Sequence, residues 1–258
     1  MSKYSAGSRW DFWVDVAREE IDGSVQQNHK FGANPDIDVT AEDIWTSGGA
    51  YTGWLTAAAP MRIRAGGNAA DTAAGAGAQS VRIEGLDANW NEIGETVATA
   101  GAAQSLATSA SFIRVNRLYV VNAGAYGGTN TGIVSVETTG GTLVATIGAT
   151  QGQSEMCIYT IPAGKTGIIP QVSASVDTAK TATVRFYARR NADDVTGPSY
   201  SPRRLWHIVT GLSGAYTRVF TSMPVFPPKT DVWVSATGPA GGASVEADIC
   251  FLLVPERV

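Results

Sequence analysis

The sequence predicts an all-β protein, made of antiparallel β-sandwich or jelly-roll modules behind an extended N-terminal segment. Three observations carry that reading. Apolar and polar residues alternate with period two over runs of strand length, Gly-rich and small-residue turns interrupt those runs, and no stretch sustains a helical period. The connections are too short for crossover helices, so neighbouring strands should pair antiparallel.

The chain has 258 residues, with 29 Gly and 11 Pro, and is 44% hydrophobic and 16% charged. That apolar content is far above a disordered polyampholyte's, so the chain should fold. Its length exceeds the usual single core, which suggests one large β domain or two smaller ones. Three parts are expected: a docking segment over 1–58, a β-sandwich-like domain over 59–150, and a jelly-roll-like sandwich over 151–258.

Taken in order, residues 11–21 alternate Phe12, Val14 and Val16 with Asp11, Trp13 and Asp15, and are read as extended. Residues 32–53 hold an Asn-Pro pair, an acidic cluster and Gly48-Gly49, all turn signals. Strand patterns begin at Met61. The stretch 66–80 is low in complexity and is read as flexible. Residues 81–86 and 93–97 then alternate around a polar turn, which is a hairpin signature. Further strands are expected over 111–122, 132–137 and 142–147. A linker at 148–154 leads to seven more, over 155–161, 167–176, 181–189, 204–212, 216–220, 231–236 and 243–254. So many short strands in about 100 residues fit a sandwich or jelly roll, with Phe186, Trp206, Trp233 and Phe251 filling the space between sheets.

Charge works by exclusion. Residues 1–150 carry 9 Lys/Arg against 15 Asp/Glu, and residues 151–258 carry 10 against 8. Neither part is basic enough to neutralise many phosphates, so no nucleic-acid partner is expected. The asymmetry could serve a head-to-tail contact between copies, or simply be a solvated acidic surface. No apolar run reaches transmembrane length and the first residues lack a signal-peptide core, so neither a membrane partner nor Sec export is expected. Cys157 and Cys250 sit in apolar alternating runs and read as buried free thiols, with a disulfide between neighbouring strands as the alternative.

Catalytic groupings are scarce. His29 and His207 have no ligand or catalytic partner at a useful spacing, and no nucleophile elbow, phosphate loop or zinc motif occurs. No cofactor is expected. The metal candidate is the acidic cluster Asp36, Asp38, Glu42 and Asp43, whose alternate carboxylates could converge on a hard cation or could instead cap turns. Glu92 and Glu95 form a carboxylate pair that nothing sets across a cleft. Trp10, Phe12, Trp13 and Trp90 are candidate partner-interface residues, because large aromatics near a terminus or on a polar turn either anchor a partner or fold back onto their own sheet. Trp90, with Trp54 and Tyr126, could also offer sugar-stacking platforms.

Two stretches resemble virion structural proteins of tailed bacteriophages. The first runs from Glu20 through His29, Lys30, Phe31, Gly32, Asn34, Pro35 and Asp36, then Glu42-Asp43-Ile44-Trp45 and Gly48-Gly49 to Tyr51. The second runs from Val81 to Glu92 and continues to Phe112-Ile113-Arg114-Val115-Asn116-Arg117. Residues 159–167 and 229–234 are similar to pieces of phage jelly-roll modules. The resemblance implies a non-enzymatic particle component assembled in the host cytoplasm, present as a homotrimer or other symmetric homo-oligomer, with the major capsid protein or other virion proteins as partners. Within it, the leading expectation is a capsid decoration or cement protein. A neck or tail component is the second, and a carbohydrate-binding host-recognition module is the reading from another class.

Overall fold

The computed structural model describes residues 15–16, 25–196 and 199–256. Its strands, in chain order, are β1 (Gln26–Ile37), β2 (Glu42–Asp43), β3 (Ala59–Ala65), β4 (Ala78–Leu86), β5 (Glu92–Ala98), β6 (Ser111–Phe112), β7 (Arg114–Ala123), β8 (Val134–Thr138) and β9 (Leu143–Ile147). They continue with β10 (Ile158–Thr160), β11 (Lys165–Val176), β12 (Ala182–Arg189), β13 (Arg204–Leu212), β14 (Ala215–Val219), β15 (Val225–Phe226), β16 (Asp231–Thr237) and β17 (Ala243–Pro255). Every pairing among them is antiparallel, and the fold is all-β as the alternation predicts. No helix among the described residues is long and apolar enough to cross a membrane.

Four sheets make two modules. In the larger, a front sheet of order β1-β17-β11-β14, with β15 also on β11, faces a back sheet of order β10-β16-β12-β13, with β2 also on β16. Their inward residues share one core. Val184 and Phe186 of β12, Val232 and Val234 of β16, Val172 of β11, and Ile249 and Phe251 of β17 all lie in it. Each such side chain, fully buried, contributes about 1.5–3 kcal/mol. The smaller module pairs a sheet β6-β3-β8-β9 with a sheet β5-β4-β7 around Met61, Ile63, Val81, Ile83, Leu118, Val136 and Ile147. The strand expected over 111–122 is divided. Phe112 pairs with Ala59 of β3 while β7 pairs with β4, so the chain changes sheets at Ile113.

The module boundaries differ from the expected ones. Residues 26–43 are strands of the larger module, with β1 pairing along β17 and β2 pairing with β16. The smaller module is therefore an insertion between β2 and β10. The cause is visible in β1. Its Lys30, Gly32 and Asn34 face inward, and a Cβ on Gly32 would lie 2.3 Å from the Cys157 amide nitrogen, so only glycine permits that approach. Pro35 falls where the β1–β17 register shifts, between Asn34 and Ile37, a place where a strand tolerates proline. Asp15 and Val16, the only described residues of the 11–21 segment, are helical and not extended.

The modules are not independent. β16 is buried on both faces: Val232, Val234 and Ala236 enter the large core, while Trp233 enters the core of the insertion with Ile158. The 66–80 stretch, expected to be flexible, is organised around Asp71, which is 0% exposed. Its Oδ1 accepts from the Ala78 and Thr131 amides at 2.9 and 2.8 Å, and its Oδ2 accepts from the Gly132 amide at 2.8 Å. A Cβ on Gly67 or Gly77 would fall 1.9 or 2.2 Å from those oxygens, which accounts for glycine at both positions.

Candidate functional site

The sequence-predicted site residues are placed as follows. Trp10, Phe12 and Trp13 lie outside the described residues. Trp90 sits in the turn between β4 and β5 with φ 68° and is 5% exposed. Asp87 Oδ1 accepts from the Asn89 and Asn91 amides, tightening the turn so that the indole folds back beside Leu86 and Ile113. The Arg114 guanidinium lies 4.9 Å from its ring centroid. Trp90 is thus a core residue here, which corrects its placement on a partner surface and as a sugar platform. Trp54 is partly buried, packed among Tyr51, Trp233, Arg114 and Arg189. Tyr126 alone of the three aromatics is fully exposed.

The carboxylates of Asp36, Asp38, Glu42 and Asp43 do not converge. Glu42 Oε2 accepts from the Gly49 amide and Asn34 Nδ2, Asp43 Oδ2 from the Tyr51 amide, and Asp38 Oδ1 from the Thr40 amide. Burial raises the Asp43 carboxyl above its ordinary value, the Tyr51 amide opposing. Among the described residues no group of three or more His, Cys, Asp or Glu is placed to hold a metal ion. Asp38, Glu42 and Asp43 hold turn amides, the alternative the cluster allowed. Glu95 is spent in the same way, accepting from Ser109 and Ala110. Cys157 is buried, Cys250 is half-buried, and both are free thiols. His29 Nε2 lies 2.6 Å from Asp248 Oδ2, and His207 Nε2 lies 2.9 Å from Tyr216 Oη.

The buried charges tie the modules together. Arg114 of β7, 2% exposed, grips Asp231 of β16, 0% exposed, through Nε–Oδ1 at 2.9 Å and Nη2–Oδ2 at 3.1 Å. Arg189 adds a second guanidinium to Asp231 Oδ2, and Thr160 Oγ1 donates to Oδ1 at 2.6 Å. Nearby, a cavity of ≈ 370 Å³ lies between β1, β10 and the β5-β4-β7 sheet, lined by Lys30, Arg82, Glu84, Glu92, Arg117 and Tyr159 among others. The Lys30 ammonium donates to the Asn116 carbonyl, joining β1 to β7. Burial, with Arg117 adding to it, lowers Lys30 to about 8, against the opposing effects of Cys157 and Glu84.

That lysine predicts a pH signature. Its folded-state pKa lies below its unfolded value, so the charged amine costs stability below about pH 8, and the cost disappears as pH rises toward 10.5. The displacement corresponds to about 3 kcal/mol. Lys30→Met should therefore stabilise the protein by about 1–3 kcal/mol at pH 7. The gain over wild type should shrink between pH 8 and 10.5, as read by thermal unfolding across that range. A constant difference would show that Lys30 is not buried as a cation.

The surface left for binding is the free side of the larger module. Among the described residues each of β13 and β14 pairs with one strand only, so they form open edges of the back and front sheets. Between Phe186 and Tyr187 the β12–β13 register shifts by one residue, giving Trp206 no partner across the ladder. Trp206 and His207 both turn inward onto Phe186, with Phe226 and Tyr216 closing the cluster. Burial lowers the His207 pKa and Arg218 lowers it further. Around this open end, Leu205 and Ile208 on the outer face of the back sheet, Val219 and Val225 on that of the front sheet, and Met223 are between 41% and 53% exposed. Arg203 lies over Tyr187 and Arg218 over Phe220.

Sequence reasoning missed this edge as a surface. Its signal is a run free of acidic residues: 195–230 holds Arg203, Arg204, Arg218 and Lys229 and no Asp or Glu. Around the module, the outer face of the front sheet forms a shallow concavity of ≈ 460 Å³ floored by small residues, including Ala33, Ser173, Ser175 and Thr217, with Glu155, Glu246, Asp248 and Phe31 about them.

No family model matches the chain, and no curated protein matches it. Among solved structures it aligns to that of infectious bursal disease virus Gt strain, at 9% identity over 91% of this chain and 77% of that one, with a TM-score of 0.21. It also aligns to T=1 particles of a mutant VP2 protein of the same virus, at 9% identity over 91% and 74%, with a TM-score of 0.22. Superpositions this loose establish neither a shared fold nor a shared role.

Proposed function

We propose that this chain is a non-enzymatic virion structural protein that acts by association, as a decoration or cement subunit bound across the major capsid protein. The observation that supports association is the open β13–β14 edge, where Arg204 and Arg218, without a salt-bridge partner among the described residues, flank an aromatic floor and exposed Leu205, Ile208 and Val219 stand on the two outer faces beside it. Exposed apolar surface rimmed by polar groups marks interaction sites, and a sheet edge offers unpaired backbone groups as well. The strand order β1-β17-β11-β14 facing β2-β16-β12-β13 supports a jelly roll, an architecture that serves viral shells and lectins alike. The virion setting rests on the resemblance of residues 20–51 and 81–117 to phage structural proteins. In that stretch the structure gives Lys30, Gly32, Asp43 and Arg114 positions that join strands or modules. Trp10, Phe12 and Trp13 remain in the proposal as a second contact.

The test is the amount of this chain relative to the major capsid protein in purified particles. A copy number comparable to that of the shell protein supports decoration. A handful of copies moves the chain to the neck or tail, and absence from the particle overturns the reading.

A further inference from the structure

The cleft between the two modules keeps a cation that its surroundings do not neutralise. Lys30 stands on the inward face of β1 and is 6% exposed, and it makes no salt bridge among the described residues. An ammonium has three N–H donors, and the Asn116 carbonyl takes one of them. The others have no acceptor among the described residues, beside the ≈ 370 Å³ cavity that Lys30 lines. Arg117 of β7 lines the same cavity and also lacks a carboxylate partner, donating to Gln153 Oε1 instead. The two carboxylates in the lining do not answer them. Glu84 is held by Arg82 at 3.4 Å and by the Tyr119 hydroxyl at 3.3 Å, and Glu92 is exposed to water. The enclosed charge is therefore positive. A buried cation without a counter-ion costs stability, which is why Lys30→Met is expected to stabilise the chain at pH 7. A charged group kept at such a cost, in a cavity the size of small-molecule sites, is the mark of a binding site.

We propose that this cleft binds a small oxyanion, a carboxylate or a phosphate, with the Lys30 ammonium and the Arg117 guanidinium as its counter-ions. Both groups carry N–H donors and no acceptor, so a ligand group between them must accept. An anion supplies the missing hydrogen bonds and the missing charge together. A cationic ligand would find only exposed Glu92 free, with Lys30 opposing it. Lys30 belongs to the larger module and Arg117 to the insertion, so a bound anion fastens one module to the other. It does so beside Asn116, whose Nδ2 donates to the Thr160 carbonyl at 3.2 Å and whose Oδ1 accepts from the Thr160 amide at 3.1 Å across the same junction. This site belongs to the folded chain itself and stands apart from the virion assignment.

Sodium phosphate, sodium acetate and sodium chloride are each titrated at constant ionic strength into the full chain at pH 7, with thermal unfolding and the NMR titration of the Lys30 side chain as readouts. Phosphate or acetate, but not chloride, should raise the unfolding temperature saturably, and the stronger of the two identifies which oxyanion the cleft takes. The Lys30 midpoint should climb from about 8 by about one pH unit or more, because an anion within about 4–6 Å favours the charged amine. Lys30→Met, itself expected to be more stable than wild type, should abolish the saturable rise. Arg117→Gln should weaken half-saturation by about tenfold, the loss expected for one charge-assisted hydrogen bond. Equal responses to all three salts overturn the proposal, and so does a saturable rise that survives Lys30→Met. A Lys30 midpoint unmoved by either oxyanion also overturns it, and leaves Lys30 as a latch from β1 to β7 alone. Each of these outcomes leaves the virion assignment to the copy number in particles.

Discussion

Asp231→Ala is expected to lower stability by about 3–5 kcal/mol in urea unfolding, among the largest losses for a single side chain in this protein. Asp231 is 0% exposed and accepts from Arg114, Arg189 and Thr160 at once. Removing it strands the Arg114 guanidinium, itself 2% exposed, with only the carbonyls of Leu55 and Ile113 as hydrogen-bond acceptors and two indole faces beside it. Arg189 is part exposed and can turn to water, so most of the cost comes from Arg114. The double change Arg114→Met with Asp231→Leu should recover most of the loss, since a well-packed apolar pair replaces a buried ion pair with little penalty. A loss below about 1 kcal/mol for Asp231→Ala would mean that water reaches Arg114.

Asp71→Ala is the second large effect, at about 3–5 kcal/mol, because three buried amide donors lose a charged acceptor together. Asp71→Asn discriminates the cause. Asn keeps the shape and can still accept from Ala78 and Thr131, but it turns an NH2 group toward the Gly132 amide, so about 2 kcal/mol should still be lost. If Asn were as stable as Asp, the carboxylate's second oxygen would not be holding Gly132. The same variant should speed amide exchange at Ala78, Thr131 and Gly132 while leaving β17 protected.

The alternating strands were legible in the sequence because each has one wet and one dry face. Ala182, Val184, Phe186 and Ala188 of β12 show it plainly. β1 was not legible. Gly32 and Asn34-Pro35 are turn residues by composition, and the close approach to Cys157 and the register shift that make them strand residues depend on chain far away in sequence. The order around Asp71 was hidden for a related reason: one carboxylate in a run of Ala and Gly shows no sign of the amides, some sixty residues on, that it accepts from. At the site, Trp90 on a polar turn allowed both an outward and an inward ring. The Asp87 turn folds it inward, and Arg114, across the β4–β7 ladder, lies over the ring there. The acidic cluster suggested ligands, and neighbouring amides took its oxygens instead. The binding edge was readable only as an absence of acidic residues over 195–230, a signal that gains meaning once β13 and β14 are known to be sheet edges.

The placing of β17 between β1 and β11 also sets a timetable for synthesis. The strands of the insertion pair only with one another, so that module can close while the ribosome is still working. β1 emerges before all of them yet has no ladder partner until β17 is made, and until then the front sheet lacks its middle. Strand β1 must stay unpaired, with its inward Lys30 and Gly32 uncovered, until residues 243–255 have been made. Nascent chains are therefore most vulnerable to aggregation just before residues 243–255 leave the ribosome.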